Sequence, residues 1–358
     1  MNSSVMILAG GTGGHIYPAL AVAERLREHG VALSWLGSAQ GMEAGIVPRH
    51  DIPFSAVKVA GLRGRGALGW LFAPFMVGLA TWQTVRVLLA VQPNVVLGMG
   101  GFVSGPGGLA AWLCRRPLVI HEQNAIPGFT NRLLSRIATR ILQAYPGSFP
   151  VSVNALVTGN PVRESIAGIE APAARARESG PVRVLVIGGS RGARSLNREV
   201  PAAIAGLHGV EVEVWHQTGT ADRDTTEAAY RGHALSARVA PFIDDMTTAY
   251  RWADLVICRA GAMTIAELAA AGVASILVPF PHAVDDHQTA NARYLAAAGA
   301  ARLLPDSALA TDLLPLLQTL VRDRAGLLDM ALRARAAALP DAATTVARQC
   351  LELMHVQS

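Results

Sequence analysis

The sequence predicts an α/β protein built from two doubly wound, Rossmann-like domains in tandem, facing each other across a cleft. Three observations carry this expectation. Short apolar strands alternate with helical stretches, the alternation runs through the chain twice, and each round opens with a glycine-rich strand-to-helix turn. A length of 358 residues is too great for one small core and fits about two domains.

The elements follow in order. "VMILA" is a buried strand broken by Gly10-Gly11-Thr12-Gly13-Gly14-His15, after which a helix begins. "ALSWLG", "NVVLG" and "PLVI" are the next strands. The domain boundary falls near "VTGNPVRESIAG", ahead of the Ala/Pro/Arg-rich "IEAPAARARESGP". "VRVLVIGG", "VEVEVWH", "DLVICRAG" and "SILVPF" repeat the grammar, the first running into "GGSRGARSLN". "MALRARAAALPDAATTVARQCLELM" forms closing helices with a break near Pro340.

Composition narrows the partners. The chain is 51% hydrophobic and 16% charged, with a net charge of +5, which favours anionic ligands. Scattered arginines and only five tyrosines and eight phenylalanines argue against nucleic acid. Three separated cysteines, with no Cys-x-x-Cys pair, fit a reducing cytosol rather than a disulfide framework or zinc site. The start has no basic n-region and too short an apolar run for a signal peptide, so a cytoplasmic protein is expected. Residues 67–85 carry no charge and are flanked by Arg63, Arg65 and Arg86. Gly69, Pro74 and Gly78 interrupt the run, and Thr81, Gln83 and Thr84 are polar, so a surface patch dipping into a membrane interface is expected rather than a spanning helix. Its apolar members are Trp70, Leu71, Phe72, Phe75, Met76, Leu79 and Trp82, with arginines meeting anionic lipid.

The unusual residues crowd the carboxyl ends of the strands, where open α/β sheets bind ligands. Neither glycine turn is a dinucleotide fingerprint: Ile16 stands where the third glycine belongs, and "ALSWLGS" and "VEVEVWHQTG" end without the acid that grips a ribose. Neither turn ends in Gly-Lys-Ser/Thr. What survives is backbone N–H groups at a helix N-terminus, suited to a diphosphate. In "CRAGAMTIAELAAAG", Glu267 lies about one turn inside a helix, where its carboxylate suits a ribose diol; a surface glutamate favourable to the helix dipole explains it equally. "PFPHAVDDHQTANA" gathers His282, Asp285, Asp286, His287, Gln288 and Asn291, whose amides suit sugar hydroxyls better than a cation. Asp222-x-Asp224 matches a pattern some transferases use for manganese but lies in a polar stretch and reads as a solvated turn.

Together GGTGGHIYPALAVA, GLRGRG, GMGGFVSGPGGLAAW, HEQNAIPG, GNPVR, GGSRGARSLN, FIDDM, CRAGAMTIAELAAAG and DDHQTANA resemble the MurG family of bacterial peptidoglycan N-acetylglucosaminyltransferases, in order and over nearly the whole chain. The resemblance implies a GT-B fold and inverting transfer of N-acetylglucosamine from UDP-N-acetylglucosamine to the muramyl sugar of lipid I, giving lipid II. It implies no metal or other cofactor and peripheral residence on the cytoplasmic face of the inner membrane, with anionic lipid and other cell-wall or division proteins as partners. Residues 1–160 would form the acceptor and membrane-associating domain, with a helix in 341–358 packing back on it, and 161–340 the donor domain.

Matched residue by residue, the family's donor motifs fall on Arg163, Ser190, Ile243, Ala262, Met263, Thr264, Glu267, His287, Gln288 and Asn291. Glu267 would hold the uridine ribose, Ile243 flank the uracil, Ser190 and Thr264 approach the phosphates, and Gln288 and Asn291 read the sugar. Asn124 would reach the donor from the first half. Thr12, Gly13 and Gly14 count among the donor contacts and also, with Gly11, Gly100, Gly101, Ser104 and Gly105, among the loops cradling the lipid diphosphate. Phe102 stands where relatives often have tyrosine. The attacking hydroxyl needs a base; His15 is the first candidate and Glu122 the second, with His121 or Asn124 orienting it. Two other readings share this pocket: a UDP-N-acetylglucosamine 2-epimerase and a non-catalytic membrane-peripheral nucleotide-sugar binding module.

Overall fold

The computed structural model describes residues 3–59, 73–189 and 192–355. They form two compact units, Met1–Arg163 with Leu339–Ser358, and Glu164–Ala338.

The first unit is built on a seven-stranded parallel sheet of β1 (Ser4–Leu8), β2 (Ala32–Ser38), β3 (Phe54–Val57), β4 (Val95–Gly98), β5 (Leu118–Glu122), β6 (Arg140–Gln143) and β7 (Leu156–Val157). Its order is β3-β2-β1-β4-β5-β6-β7, with Val5 paired to Leu33 on one side and to Val95 on the other. The helices are α1 (Gly13–Glu28), α2 (Glu43–Ile46), α3 (Ala73–Val91), α4 (Ser104–Leu113) and α5 (Phe129–Leu134).

Period-2 alternation in β1 divides the core. Val5 and Ile7 point to one face, packed with Ile16, Leu20 and Leu26 of α1. Met6 and Leu8 point to the other, with Leu88 of α3 and Ala110 and Ala111 of α4. Because both faces are covered, the central strands read as continuous apolar runs.

The second unit repeats the plan with β8 (Val182–Ile187), β9 (Val212–Gln217), β10 (Ala237–Ala240), β11 (Leu255–Cys258), β12 (Ala274–Leu277) and β13 (Ala301–Leu303), ordered β10-β9-β8-β11-β12-β13 and all parallel. Its helices are α6 (Glu164–Ala167), α7 (Pro172–Arg175), α8 (Arg194–Ala205), α9 (Arg223–Gly232), α10 (Met246–Trp252), α11 (Ala262–Ala271), α12 (His287–Ala297), α13 (Leu309–Arg322) and α14 (Arg324–Ala336). Val184, Val186, Leu255, Ile257 and Ile276 pack against Leu196 and Val200 of α8 and Leu313 and Leu317 of α13.

The last helix, α15 (Ala342–His355), begins after the break near Pro340 and belongs to the first unit. Val346, Ala347, Cys350, Leu353 and Met354 join the core beside α1, and Arg140 of β6 pairs with Glu352 at 2.5 Å.

Candidate functional site

Strand order reverses at β1/β4 in the first unit and at β8/β11 in the second. Loops leaving such neighbours turn to opposite faces and open a crevice at the carboxyl edge. The glycine-rich segments noted in the sequence are these loops.

In the first unit, the loop after β1 and the loop after β4 touch through their backbones. Gly11, Gly100 and Gly101 have φ of +90°, +100° and +87°, and a Cβ on Gly101 would lie 2.1 Å from the Gly10 carbonyl oxygen. Ser104, fully buried at the start of α4, accepts from Gly100 N (3.0 Å) and donates to the Leu8 carbonyl (3.2 Å). Gly105 follows it and faces Thr130. Thr12 is the exposed, extended N-cap of α1, so Gly13, Gly14 and His15 form the first helical turn. His15 N already donates to the Thr12 carbonyl (3.1 Å), so Gly13 and Gly14 hold the N–H groups of this helix start, the kind of end that binds diphosphates.

Sequence reasoning missed Glu43 of α2. It is 1% exposed, accepts from Gly11 N (3.0 Å) and Ser38 N (2.8 Å), and packs directly under Gly10, Gly37 and Gly41. The carboxylate thereby sets the path of the first glycine loop. The signal in "GSAQGMEAGI" was an acid among glycines with no cation nearby.

His15 is half-buried with its Nδ1 turned inward against Gly100. Burial holds its pKa below the ordinary value; the Glu122 charge, the Gln123 side chain, the Met99 carbonyl and the Glu43 charge oppose that fall. The imidazole is therefore neutral at neutral pH.

Glu122, the second base candidate, is built as a staple. Its carboxylate accepts from Asn124 N (2.9 Å), Asn124 Nδ2 (3.1 Å), Gly128 N (3.0 Å) and Asn131 Nδ2 (2.8 Å). These donors occupy the acceptor capacity of a carboxylate and fix the loop after β5. Asn124 is held in that staple, and its carbonyl accepts from Ser148 Oγ. His121 is wholly buried, bonded through Nε2 to Thr158 Oγ1 (3.2 Å) and the Gly159 carbonyl (2.9 Å), with its pKa pushed down to about 4. It is a structural, neutral histidine. Arg163 closes the first unit and lies over the Tyr17 ring at 5.3 Å.

In the second unit, α11 starts beside the carboxyl end of β11, with Gly261 as its extended N-cap and Ala262, Met263 and Thr264 as its first turn. Glu267 is half-buried, and its Oε2 accepts from Tyr250 OH at 3.1 Å. Buried Gln217, at the end of β9, donates to the Gly189 carbonyl (3.1 Å) and accepts from Ile243 N (3.0 Å), tying the two segments together. Arg259 fastens the ends of β11 and β12 through Asp306 (2.5 Å), Ser195 (2.7 Å) and the Val278 and Pro279 carbonyls. Gln288 accepts from Phe280 N at 2.9 Å, and buried Asn291 donates to the Ala260 carbonyl at 3.3 Å. Both amides thus shape the loops after β12 and β11, and His287 opens α12 beside them. Ser190 lies outside the described residues.

Asp222 accepts from Asn197 at 3.0 Å at the start of α9, whereas Asp224 is exposed beside Arg223. Among the described residues no three His, Cys, Asp or Glu side chains converge as a metal-ligand set.

Of the apolar patch, Trp70, Leu71 and Phe72 and the preceding GLRGRG fall outside the described residues. The remainder lies on α3. Ala80, Thr84 and Leu88 are buried in the unit, while Phe75 is 70% exposed and Trp82 55%, with the Arg86 guanidinium 5.1 Å above the Trp82 ring. Met76 and Leu79 are half-exposed between them. The segment Pro74–Val91 is long and apolar enough to cross a membrane by length and composition, with a mean hydropathy of 1.3.

The family model of the glycosyltransferase family 28 N-terminal domain matches residues 5–143, and that of the family 28 C-terminal domain matches residues 183–346. The chain belongs to glycosyltransferase family 28. Within family 28 it is 55% identical to a UDP-N-acetylglucosamine–N-acetylmuramyl-(pentapeptide) pyrophosphoryl-undecaprenol N-acetylglucosamine transferase of Alkalilimnicola ehrlichii, over 98% of this chain and 99% of the relative. The enzyme of the same name from Nitrosococcus oceani is 53% identical over 98% of each chain. The crystal structure of Acinetobacter baumannii MurG is similar with a TM-score of 0.85 and 41% identity, covering 98% of this chain and 99% of that one. A UDP-N-acetylglucosamine 2-epimerase from Neisseria meningitidis shares the fold at a TM-score of 0.68 and 12% identity, covering 98% of this chain and all of that one. The two sheets and their switch-point loops are the GT-B domains expected from the sequence.

Proposed function

We infer that the protein transfers N-acetylglucosamine from UDP-N-acetylglucosamine to lipid I, forming lipid II. The observation that carries this reading is the near full-length identity to transferases of that name. The glycine loop of each unit supports it, since each offers a helix N-terminus to a diphosphate.

In this reading the second unit takes the donor. The start of α11 meets the UDP phosphates, with Thr264 beside them, and Glu267 holds the ribose diol. Ile243 flanks the uracil, while His287, Gln288 and Asn291 frame the sugar. The paired loops of the first unit cradle the lipid diphosphate. As the muramyl 4-hydroxyl attacks the anomeric carbon, its proton passes to His15, the sugar–phosphate bond breaks, and UDP leaves with inversion. Backbone N–H groups aimed at the β-phosphate stabilise the charge that grows there more than they stabilise the ground state. A neutral imidazole is the form that accepts a proton, and the lowered pKa of His15 keeps it so. Glu122 holds the neighbouring loop rather than taking the proton. No resident metal or organic cofactor is assigned a part.

We also propose that Phe75, Met76, Leu79 and Trp82 enter the cytoplasmic leaflet of the inner membrane while Arg86 meets anionic headgroups. A face that buries Ala80, Thr84 and Leu88 in the unit suits a peripheral helix better than a spanning one. Cell-wall or division proteins remain proposed partners.

The test is UDP release from UDP-N-acetylglucosamine with and without a soluble lipid I analogue. Release that requires the analogue is expected; equal release without it would overturn the reading.

A further inference from the structure

His15 Nδ1 and Gln123 Oε1 are both buried polar atoms of the first unit without a hydrogen-bond partner. They lie close enough that the Gln123 side chain draws the imidazole pKa upward, against burial. Buried polar groups are rarely left unsatisfied without a functional reason.

The orientation of Gln123 is fixed independently. The residue is 1% exposed, and its Nε2 donates to the Met99 carbonyl at 2.7 Å. A flipped amide would set oxygen against oxygen at that distance, so Oε1 must be the atom on the His15 side. Asn160 Nδ2 donates to the Gln123 carbonyl at 2.9 Å and anchors its backbone. On the other flank Gly100 presses on the ring; a Cβ there would sit 2.5 Å from Nδ1. The Nδ1 edge therefore meets acceptors and glycine backbone. Nε2, unlike Nδ1, is not among the buried unpartnered atoms.

We propose that Gln123 is a positioning residue that holds His15 as the Nδ1–H tautomer, leaving the Nε2 lone pair bare for a substrate hydroxyl. The inference rests on His15 being the base. Its chemistry is complete in this chain: Nδ1–H donates to Gln123 Oε1, and Nε2 takes the hydroxyl proton as the glycosidic bond forms. The charges facing the ring are the carboxylates of Glu122 on β5 and Glu43 on α2, and both stabilise the imidazolium that results.

The test is a ring-nitrogen NMR spectrum of the full-length 15N-histidine protein near pH 7.5, the His15 signal being assigned by its loss in His15→Asn. Nitrogen shifts of a protonated Nδ1 and a bare Nε2 are expected. An Nε2–H tautomer would overturn the proposal. In Gln123→Met the tautomer preference should be lost, kcat should fall about tenfold at unchanged donor KM, and the acid limb of the pH–rate profile should move to lower pH. A tautomer and acid limb unchanged in Gln123→Met would also overturn it. The base reading fails separately, through undiminished kcat in His15→Asn.

Discussion

Removing the carboxylate beneath the first glycine loop should unfold the first unit well before it alters the second. Glu43→Ala leaves the N–H groups of Gly11 and Ser38 without their acceptor. An unsatisfied donor costs up to about 1–3 kcal/mol, less where water reaches it as at these part-buried N–H groups, and the charge-assisted bonds lost are among the stronger kind. The residue is 1% exposed and fills the space left by Gly10, Gly37 and Gly41, so water replaces it poorly. A loss of about 3 kcal/mol follows, which for a unit of this size lowers the midpoint by roughly 6–12 °C. Differential scanning calorimetry of the whole chain resolves the effect, with UDP-N-acetylglucosamine affinity as the control for the second unit. Glu43→Gln, which keeps one acceptor oxygen, should fall between. A midpoint shift under about 2 °C in Glu43→Ala would show that the carboxylate does not set the loop.

The remaining predictions concern chemistry and membrane contact. His15→Asn should lower kcat by roughly 10²–10⁴ without weakening donor binding, as measured by calorimetric titration. Because the group works in its neutral form and burial holds its pKa below 6.5, the acid-side fall in wild-type kcat should have its midpoint below pH 6.5. Glu267→Ala should weaken UDP-N-acetylglucosamine binding by roughly 10–100-fold, the loss of hydrogen bonds to a charged acceptor, while single-turnover chemistry changes less. Phe75→Ser with Trp82→Ser should reduce sedimentation with anionic vesicles, and turnover of a soluble acceptor should be unchanged.

Much of this was legible in the sequence because the central strands of both sheets are buried on two faces and therefore announce themselves as apolar runs. The edges did not. β3, β10 and β13 at the edges are three or four residues each, β7 is the dipeptide Leu156–Val157, and β6 beside it is four; "ARVA" carries a polar residue because an edge is only half covered. The loops at the switch points were legible because glycine is required where φ is positive, as at Gly11, Gly100 and Gly101. What those loops stand on was not. Glu43 supports Gly11 from 32 positions away, and Gln217 joins Gly189 to Ile243 across the strand ends. Such partners follow from strand order rather than from spacing. Glu122 shows the complementary limit: its place in HEQN suggests a base, yet only the four donors around it reveal a carboxylate committed to holding its loop.

The central claim is transfer of a sugar between two diphosphate-linked substrates, and following the sugar tests it most directly. With N-acetylglucosamine-labelled donor and a lipid I analogue, the label should appear in a lipid-linked disaccharide with inverted anomeric configuration, one UDP released per disaccharide. Label retained on UDP as an epimerised sugar, or no lipid-linked product despite measured binding of both substrates, would contradict it.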